Sequence, residues 1–280
     1  MTSAAADTTF ESASIAASAP ADGTEICEAD EFARMLGVAR ADRGALVRMG
    51  SPEQADEIAD YEALVADPIK SRLTTDPDFF HRIKADLVTE LVTRRLPGRS
   101  PMLLRVLDVG CGTGSLLTHP DARFGHVRGC DPSRRMVRAA GAQACYMPSP
   151  MQLPFDVGSF DVIVCACVYH HIEPNRRLHH LLEIGRVLAP GGLLLVFEHN
   201  RRNPLTRLIV RRCPIDSGAK LLTGGLTRRL LQRAGFEGVR NRYYLFLPQR
   251  LYRAVGRIER LLSLTGLGGQ FCTHGAKPAS

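Results

Sequence analysis

The sequence predicts an α/β fold in which a mostly parallel sheet carries helices on both faces. Apolar runs of strand length recur at residues 103–109, 127–130, 143–147, 160–168 and 192–198. Stretches with helical spacing of apolar residues, such as 133–140 and 176–188, separate them. This alternation is typical of parallel strands joined by crossover helices. The runs do not alternate between apolar and polar residues, which indicates that both faces of the sheet are covered.

The composition is that of an ordinary globular protein. Hydrophobic residues make up 45% of the 280 residues and charged residues 23%, which is ample for a buried core. No apolar run approaches the roughly 20 residues that span a bilayer. The N-terminus lacks the basic start and the apolar stretch of a secretory signal. We therefore expect a cytoplasmic protein without a transmembrane segment, and its oligomeric state stays open.

The eight cysteines form no C-x-x-C pair and do not lie at zinc-ligand spacing with a histidine. Cys165 and Cys167 alternate along an apolar run, so both are expected on one side of a strand. We expect buried, reduced thiols, because disulfide frameworks belong to chains with little apolar core. No metal site is predicted, since Glu198 and His199 have no carboxylate cluster around them in the sequence.

Three parts are predicted along the chain. Residues 1–24 are rich in Ala, Ser and Thr without a hydrophobic period, which is typical of a disordered tail. Residues 25–98 show helical spacing and end at a Pro-Gly break, so we expect an N-terminal helical cap there. The main domain then covers residues 99–280. Its later elements are predicted to be helices at 204–213, 225–234 and 249–263 and strands at 239–246 and 269–274.

The clearest chemical signal is V-L-D-V-G-C-G-T-G at residues 106–114. Glycines at 110, 112 and 114 follow a strand, and we expect them to open a helix. They let the main chain turn sharply and let a ligand lie directly on it, with helix N-terminal amides facing the ligand. Such a loop alone can serve NAD, FAD or S-adenosylmethionine (SAM), or be a simple tight turn.

Asp131 ends the second predicted strand, 17 residues after Gly114. A carboxylate there can accept both hydroxyls of a ribose, a role that nicotinamide cofactors and SAM share. A helix N-cap is the alternative role, and the two are compatible. The spacing G-x-G-x-G, with Asp108 two residues before the first glycine, differs from the G-x-G-x-x-G that holds a pyrophosphate.

Further segments follow the loop in a set order. They are G-C-D-P-S at 129–133, L-P-F-D at 153–156, S-F-D-V-I at 159–163, V-Y-H-H-I at 168–172 and R-V-L-A-P-G-G at 186–192. In this order the segments resemble class I SAM-dependent methyltransferases of the type 11-like, small-molecule kind over about residues 100–200. The resemblance implies a Rossmann-like fold with a seven-stranded sheet, SAM as the cofactor and methyl transfer to a small molecule.

The resemblance also implies a set of cofactor-binding residues. Asp108 would anchor the loop or reach the amino group of the methionine part, and Asp131 would bind the ribose. Ser149 stands where the family often has an acidic residue for the adenine amine, so backbone near Pro150 and Met151 would take over that contact. The full set is Asp108, Gly110, Cys111, Gly112, Gly114, Asp131, Pro132, Met136, Ser149, Pro150, Met151 and Val168.

Catalysis and acceptor binding are expected at the carboxyl ends of the fourth and fifth predicted strands, where such sheets bind ligands. His171, Glu198 and His199 are the candidates for a base. For His171, capping or packing against the cofactor is the alternative. The residues predicted to bind the acceptor are Tyr61, His170, Asn200, Arg207 and Arg211. Elements at about 199–265 would build this pocket.

Residues 201–260 carry fifteen Lys and Arg and three acidic residues, whereas the whole chain has a net charge of +7. Such a segment can hold an anionic group or be a set of solvated helix faces. E-H-N at 198–200, N-P-L-T-R at 203–207 and R-C-P-I-D at 212–216 resemble an uncharacterised bacterial methyltransferase subgroup. We expect a polar or anionic small-molecule acceptor and no nucleic acid, because no RNA-binding appendage is visible.

Two other functions remain open from the sequence. A SAM-binding regulatory protein that has lost turnover would keep the glycine loop and Asp131. A nicotinamide-dependent Rossmann oxidoreductase would use the same two features for a different cofactor. Binding of SAM, S-adenosylhomocysteine or NADH distinguishes these functions.

Overall fold

The computed structural model describes residues 76, 78–116, 119, 123–246, 262–263 and 265–279. The predicted tail, the predicted cap before residue 76 and most of the helix predicted at 249–263 therefore lie outside the described residues. Among the helices described, none combines the length and the apolar character needed to cross a membrane.

Seven strands and five helices make up the described part of the chain. The strands are β1 (Arg105–Val109), β2 (His126–Asp131), β3 (Ala144–Tyr146), β4 (Phe160–Ala166), β5 (Leu188–His199), β6 (Glu237–Tyr244) and β7 (Gln270–Ala276). The helices are α1 (Phe79–Arg95), α2 (Arg134–Ala140), α3 (Arg177–Val187), α4 (Pro204–Arg212) and α5 (Gly224–Arg233). Every strand expected from the apolar runs is confirmed, with small shifts at its ends.

The strands form one sheet in the order β3-β2-β1-β4-β5-β7-β6. The first five strands in this order pair in parallel. β7 pairs antiparallel with both of its neighbours, and Phe271 lies opposite Glu198 on one side and Tyr243 on the other. The expectation of a mostly parallel sheet is therefore wrong: the sheet is mixed, because the chain turns back after β6 and β7 inserts beside β5.

Apolar cores cover both faces of the sheet. Side chains alternate along each strand, so that Val162 and Val164 enter one core while Ile163 and Cys165 enter the other. Helices α3 and α5 close the core that contains Ile163, and α1 closes the core that contains Val162. The N-terminal helical cap is not supported: α1, in the last part of the range predicted for it, packs directly on the sheet as a layer of the main fold.

The parallel pairing aligns the carboxyl ends of the central strands. Val109 lies opposite Cys130 on one side and Cys165 on the other, and Ala166 lies opposite Phe197. The residues that follow β1, β2, β4 and β5 therefore converge on one edge of the sheet. This edge carries most of the polar groups that the sequence singled out.

Candidate active site

The glycine loop after β1 is held against the neighbouring strand by its main chain. The N–H groups of Gly110 and Cys111 both donate to the carbonyl oxygen of Cys130, at 2.8 and 3.1 Å. Gly110, Gly112 and Gly114 have φ angles of 72°, 54° and 78°, in the left-handed region that favours glycine. The sharp main-chain turn expected from the glycines is confirmed. The helix expected to begin at them is not seen within residues 110–116, which form turns.

One side of this loop is open. A Cβ at Gly110 would lie 2.6 Å from Cγ2 of Val168, so glycine is needed there for the loop to pack against the segment after β4. At Gly112, by contrast, no described atom lies within 4 Å of the position that a Cβ would take. The main chain of Gly112 therefore faces space in which a ligand can lie directly on it.

Asp131 ties the loop to the second strand. Its Oδ2 accepts from the N–H of Gly112 at 2.9 Å, and its Oδ1 accepts from the N–H of Ser133 at 2.8 Å. Ser133 in turn caps α2, since its Oγ accepts from the N–H of Met136 at 3.2 Å. A carboxylate placed beside the loop in this way is the type of group that accepts hydrogen bonds from a diol.

Asp108 lies beneath the loop with an uncompensated oxygen. Its side chain is 3% exposed, and its Oδ1 has no hydrogen-bond partner among the described residues. Burial, and secondly the charge of Asp131, raise the pKa of Asp108 to about 7, although Lys84 acts to lower it. A buried carboxylate oxygen without a partner is costly, so it fits a cationic donor such as the ammonium group of the methionine part of SAM.

The raised pKa of Asp108 predicts that SAM binding depends on pH. An ammonium ion pairs with the carboxylate form, so affinity is expected to rise as pH rises through about 7. Between pH 6 and 7.5 the affinity for SAM should rise about fivefold to tenfold, because Asp108 releases one proton when SAM binds. The range stops at 7.5 because a free α-amino group titrates at about 7.7–8.0. Isothermal titration calorimetry in two buffers of different ionisation enthalpy measures both the affinity for SAM and the number of protons released on binding.

Asp108→Asn is the control for this prediction. The amide cannot ionise, so SAM should bind this variant weakly and with the same affinity at pH 6 and 7.5. A wild-type affinity that stays constant over this range would contradict a role for Asp108 in holding the ammonium group.

A second polar group follows β4 and β5. Cys167 has a φ of 61°, and its Sγ lies 3.7 Å from Nζ of Lys84 and 3.8 Å from Nε2 of His199. On the other side of the ring, Nε2 of Gln270 donates to Nδ1 of His199 at 3.2 Å, while Oε1 of Gln270 accepts from Tyr244 at 2.7 Å. Because Nδ1 of His199 accepts this hydrogen bond, the ring proton is on Nε2 and faces the sulfur of Cys167.

The surroundings of Cys167 favour its thiolate form. Burial acts to raise the pKa of its thiol, but Lys84 and His199 more than offset that effect and lower the pKa to about 6. Sequence reasoning placed Cys167 with Cys165 among the structural thiols. Cys165 does belong to the core, whereas the left-handed backbone at Cys167 turns its sulfur to the polar edge.

A third polar group lies deeper, between β4 and the segment after α4. Nδ1 of His170 lies 2.6 Å from Oε2 of Glu198, and Nε2 of His170 lies 3.3 Å from Oδ1 of Asp216. The side chains of His170 and Glu198 are fully buried. Burial acts to lower the pKa of His170, yet Glu198 and Asp216 raise it well above its usual range. His170 is thus an imidazolium between two carboxylates.

Residues 107–196 match the family described as "Methyltransferase domain". A mouse (Mus musculus) protein named "Probable tRNA methyltransferase 9B" is 36% identical over 105 residues, which are 35% of this chain and 23% of that protein. A "Ubiquinone biosynthesis O-methyltransferase" of Caulobacter sp. (strain K31) is 36% identical over 116 residues, 37% of this chain and 44% of that protein. The chain thus spans less than half the length of both curated relatives.

Two solved structures share the fold. A SAM-dependent methyltransferase of Thermotoga maritima gives a TM-score of 0.51 at 21% identity, covering 71% of this chain and 93% of that chain. A SAM-dependent methyltransferase of Archaeoglobus fulgidus gives 0.51 at 16% identity, covering 72% of this chain and 100% of that chain. Residues 107–196 therefore match a methyltransferase domain, and the chain has the Rossmann-like fold of these two structures. The family match supports the predicted cofactor, S-adenosyl-L-methionine.

The predicted cofactor residues lie along this edge of the sheet. They are Asp108, Gly110, Cys111, Gly112 and Gly114 at the end of β1 or just after it, Asp131 at the end of β2, Pro132 and Met136 after β2, Ser149, Pro150 and Met151 after β3, and Val168 after β4. Met136 is buried on α2, and Oγ of Ser149 accepts from the N–H of Met151 at 3.2 Å. Their contacts with SAM stay predictions.

The predicted acceptor and catalytic residues separate into three groups. His171 and His199 are partly exposed near the polar edge, and Arg207 and Arg211 lie on α4. His170, Glu198 and Asn200 are buried: Nδ2 of Asn200 donates to the carbonyl oxygens of Gly266 and Gly268, so its amide protons hold two loops together. Tyr61 lies outside the described residues.

Sequence reasoning missed several residues of this edge. Lys84 carried no signal. Gln270, in a G-G-Q segment that also resembles the bacterial subgroup, and Asp216, in the quoted R-C-P-I-D segment, were given no role. His180, which was given no role, is fully buried on α3, and its Nδ1 lies 2.9 Å from the hydroxyl of Tyr169. The helical spacing of α3 places His180 on the same face as Ile184, which could have identified it as a core residue.

Proposed function

We propose that this protein is a SAM-dependent methyltransferase that acts on a polar or anionic small molecule. The observation that carries the proposal is the open main chain of Gly112 between two buried carboxylates. Asp108 offers an oxygen without a described partner, and the carboxylate of Asp131 accepts from the N–H of Gly112. This arrangement offers one carboxylate for the ammonium group of SAM, open main chain for its central part and a second carboxylate for its ribose diol.

The residues of the chain bind and orient the cofactor. Asp108 would pair with its ammonium group, Gly110 and Gly112 would contact its central part, and Asp131 would accept from its ribose. Bound SAM supplies an electrophilic methyl group, so positioning accounts for most of the rate enhancement asked of the protein. Val168 would close the loop side of the site, since it already packs on Gly110.

The acceptor would be activated by the group after β4 and β5. We propose that His199, whose ring is held by Gln270 and Cys167, positions the acceptor beside the Cys167 sulfur, and that this sulfur as thiolate takes the acceptor's proton. His171 is a second candidate at the exposed rim. Glu198 would act through His170, because Oε1 accepts from the N–H of Tyr169 at 2.7 Å and Oε2 faces His170.

The acceptor pocket would be built from residues 199–265 around α4. Asn203 caps α4 by accepting from the N–H of Thr206 at 2.9 Å, which fixes the start of the helix that carries Arg207 and Arg211. We propose that these two arginines attract an anionic group of the acceptor. We also propose that the main domain begins with α1 rather than at residue 99, because α1 closes one core.

An RNA acceptor is the second candidate, and one observation favours it. The name of the mouse relative, whose matching part is 36% identical, refers to tRNA. Against it stand the other relative, whose name refers to ubiquinone biosynthesis, and the absence of any RNA-binding appendage that we recognise in the sequence.

Transfer of label from methyl-labelled SAM tests the function and the acceptor class together. The full chain is incubated with labelled SAM and either a small-molecule extract or total tRNA. We expect label in the small-molecule fraction, with a rate that falls by about tenfold between 50 and 300 mM salt if arginines steer an anion. Arg211→Ala should weaken that salt dependence.

The other outcomes each contradict part of the proposal. Label in tRNA alone would replace the small molecule by RNA. SAM binding without transfer to either pool would favour a regulatory protein without turnover. Transfer that does not respond to salt, or that is unchanged in Arg211→Ala, would remove the anionic acceptor.

A further inference from the structure

Two adjacent histidines and a carboxylate from a distant part of the chain meet beside the proposed acceptor site. The ligand atoms of His170, His171 and Asp216 all lie within 4.8 Å of one another. Oδ1 of Asp216 lies 3.3 Å from Nε2 of His170 and 3.6 Å from Nε2 of His171. The sequence alone predicted no metal site. Asp216 is 46 residues away from His170, so the sequence does not show that the two residues meet.

The two distances to Asp216 are close to those between ligands around one small divalent ion. Zinc lies about 2.0–2.2 Å from imidazole nitrogens and carboxylate oxygens in a tetrahedral arrangement, which places two ligand atoms about 3.3–3.5 Å apart. The two distances to Asp216 therefore require little or no movement of the side chains. Two imidazoles and one carboxylate are also a ligand set that zinc and other divalent transition metals accept.

The innermost ligand is oriented by a carboxylate on its far side. Oε2 of Glu198 lies 2.6 Å from Nδ1 of His170, and Glu198 is itself fixed by the N–H of Tyr169 at 2.7 Å. A histidine that gives its second ring nitrogen to a carboxylate is the usual outer-shell arrangement of metal-binding histidines. It directs Nε2 of His170 towards Asp216, where the ion would lie.

Burial changes across the cluster from one ligand to the next. The side chain of His170 is 0% exposed, that of Asp216 is 12% exposed and that of His171 is 42% exposed. An ion held here would have protein on the His170 side and an accessible position on the His171 side. Three protein ligands with one open position are typical of catalytic zinc sites, whereas structural sites are closed by four.

We propose that His170, His171 and Asp216 bind one divalent transition-metal ion, with zinc as the first choice, and that the ion displaces the Nε2 proton of His170 to solvent. The rings of His170 and His199 have centroids 5.4 Å apart, so the open position would lie near the proposed acceptor. Resting on the proposed function, the ion would bind an oxygen of the acceptor and make its hydroxyl more acidic. Glu198 is a positioning residue for this site.

Metal binding by the purified full chain tests the proposal directly. The protein is stripped with a chelator and titrated with zinc sulfate in competition with a chromophoric chelator, and cobalt is used for visible spectroscopy. We expect one zinc per chain and an intense, low-coordinate cobalt spectrum. His171→Ala should weaken zinc binding by about 100-fold, and Asp216→Asn should do the same.

His179→Ala is the matched control, because His179 is an exposed histidine on α3 and should leave zinc affinity unchanged. His171→Ala removes a partly exposed side chain and should not unfold the chain, which keeps the test valid if Asp216→Asn does. Zinc binding well below one per chain, or affinity that is equal in wild type and His171→Ala, would overturn the proposal.

SAM titration of the same metal-free protein separates this proposal from the proposed function. SAM binding without zinc binding would remove only the metal site. Zinc binding that depends on His171 but occurs without SAM binding would leave the metal site in place and remove the methyltransferase proposal.

Discussion

Glu198→Gln is expected to lower the free energy of unfolding by about 3 kcal/mol in metal-free protein. Glu198 is fully buried against the His170 imidazolium, and removing one partner of a buried ion pair leaves a charge without compensation. The effect lies at the lower end of the 3–5 kcal/mol typical of such losses, because Asp216 still faces the other side of His170. Urea denaturation with a chelator present measures it.

The pH of this experiment follows from the signs of the two pKa shifts. The raised pKa of His170 gives stability that is complete below its unfolded value of about 6.5 and is lost as pH rises through the folded value. The pKa of Glu198 is lowered by His170 despite burial, so its contribution is present above about 4.3 and lost as pH falls. Both contributions are present at pH 6.

Glu173→Gln is the matched control for Glu198→Gln. It makes the same chemical change at a surface pair, in which the side chains of Glu173 and Lys220 are 58% and 51% exposed. Such pairs contribute about 0–1 kcal/mol. A loss in Glu198→Gln as small as that in Glu173→Gln would contradict the buried ion pair.

Gly112→Ala is expected to weaken SAM binding by about 30-fold or more while the protein stays folded. Gly112 has a φ of 54°, so alanine costs roughly 1–2 kcal/mol in backbone strain. Its new methyl group would meet no described atom within 4 Å, and it would occupy the space that we assign to the cofactor. Isothermal titration with SAM measures the affinity, and thermal unfolding measures the strain.

Gly98→Ala separates the strain from the loss of space. Gly98 has a φ of 80° and likewise has no described atom within 4 Å of a new Cβ, but it lies after α1, away from the loop. Both variants should lose similar stability, and only Gly112→Ala should lose SAM affinity. Equal SAM affinity in the two variants would mean that the ligand does not lie on Gly112.

Local patterns predicted most of the sheet but not the direction of its last strand. Apolar runs located β1 to β5 because strands buried on both faces leave a continuous apolar signal. β7 was expected near its observed place, yet nothing in Gln270–Ala276 itself shows that it pairs antiparallel with β5 and β6. The direction of a strand depends on how the preceding chain leads into it, and the residue pattern within the strand does not show that direction.

The glycine loop with Asp131 and the group around His170 and Cys167 differ in how far the sequence predicts them. Gly110, Gly112 and Asp131 follow strands at fixed spacing, so their convergence was predictable from the parallel pairing alone. The pairing of Asp216 with His170 joins segments that are distant in sequence, and the left-handed backbone of Cys167 occurs at a residue type that rarely adopts it. Such features depend on the packed tertiary structure.

Titration of SAM and of NADH into the wild-type chain and into Asp131→Ala tests whether the glycine loop and Asp131 bind SAM. We expect the wild type to bind one SAM per chain and no NADH. Asp131→Ala should bind SAM about 1–3 kcal/mol more weakly, since a charged hydrogen-bond partner is lost. A wild-type chain that does not bind SAM or S-adenosylhomocysteine, or that binds NADH instead, would contradict the assignment of the glycine loop as a SAM site.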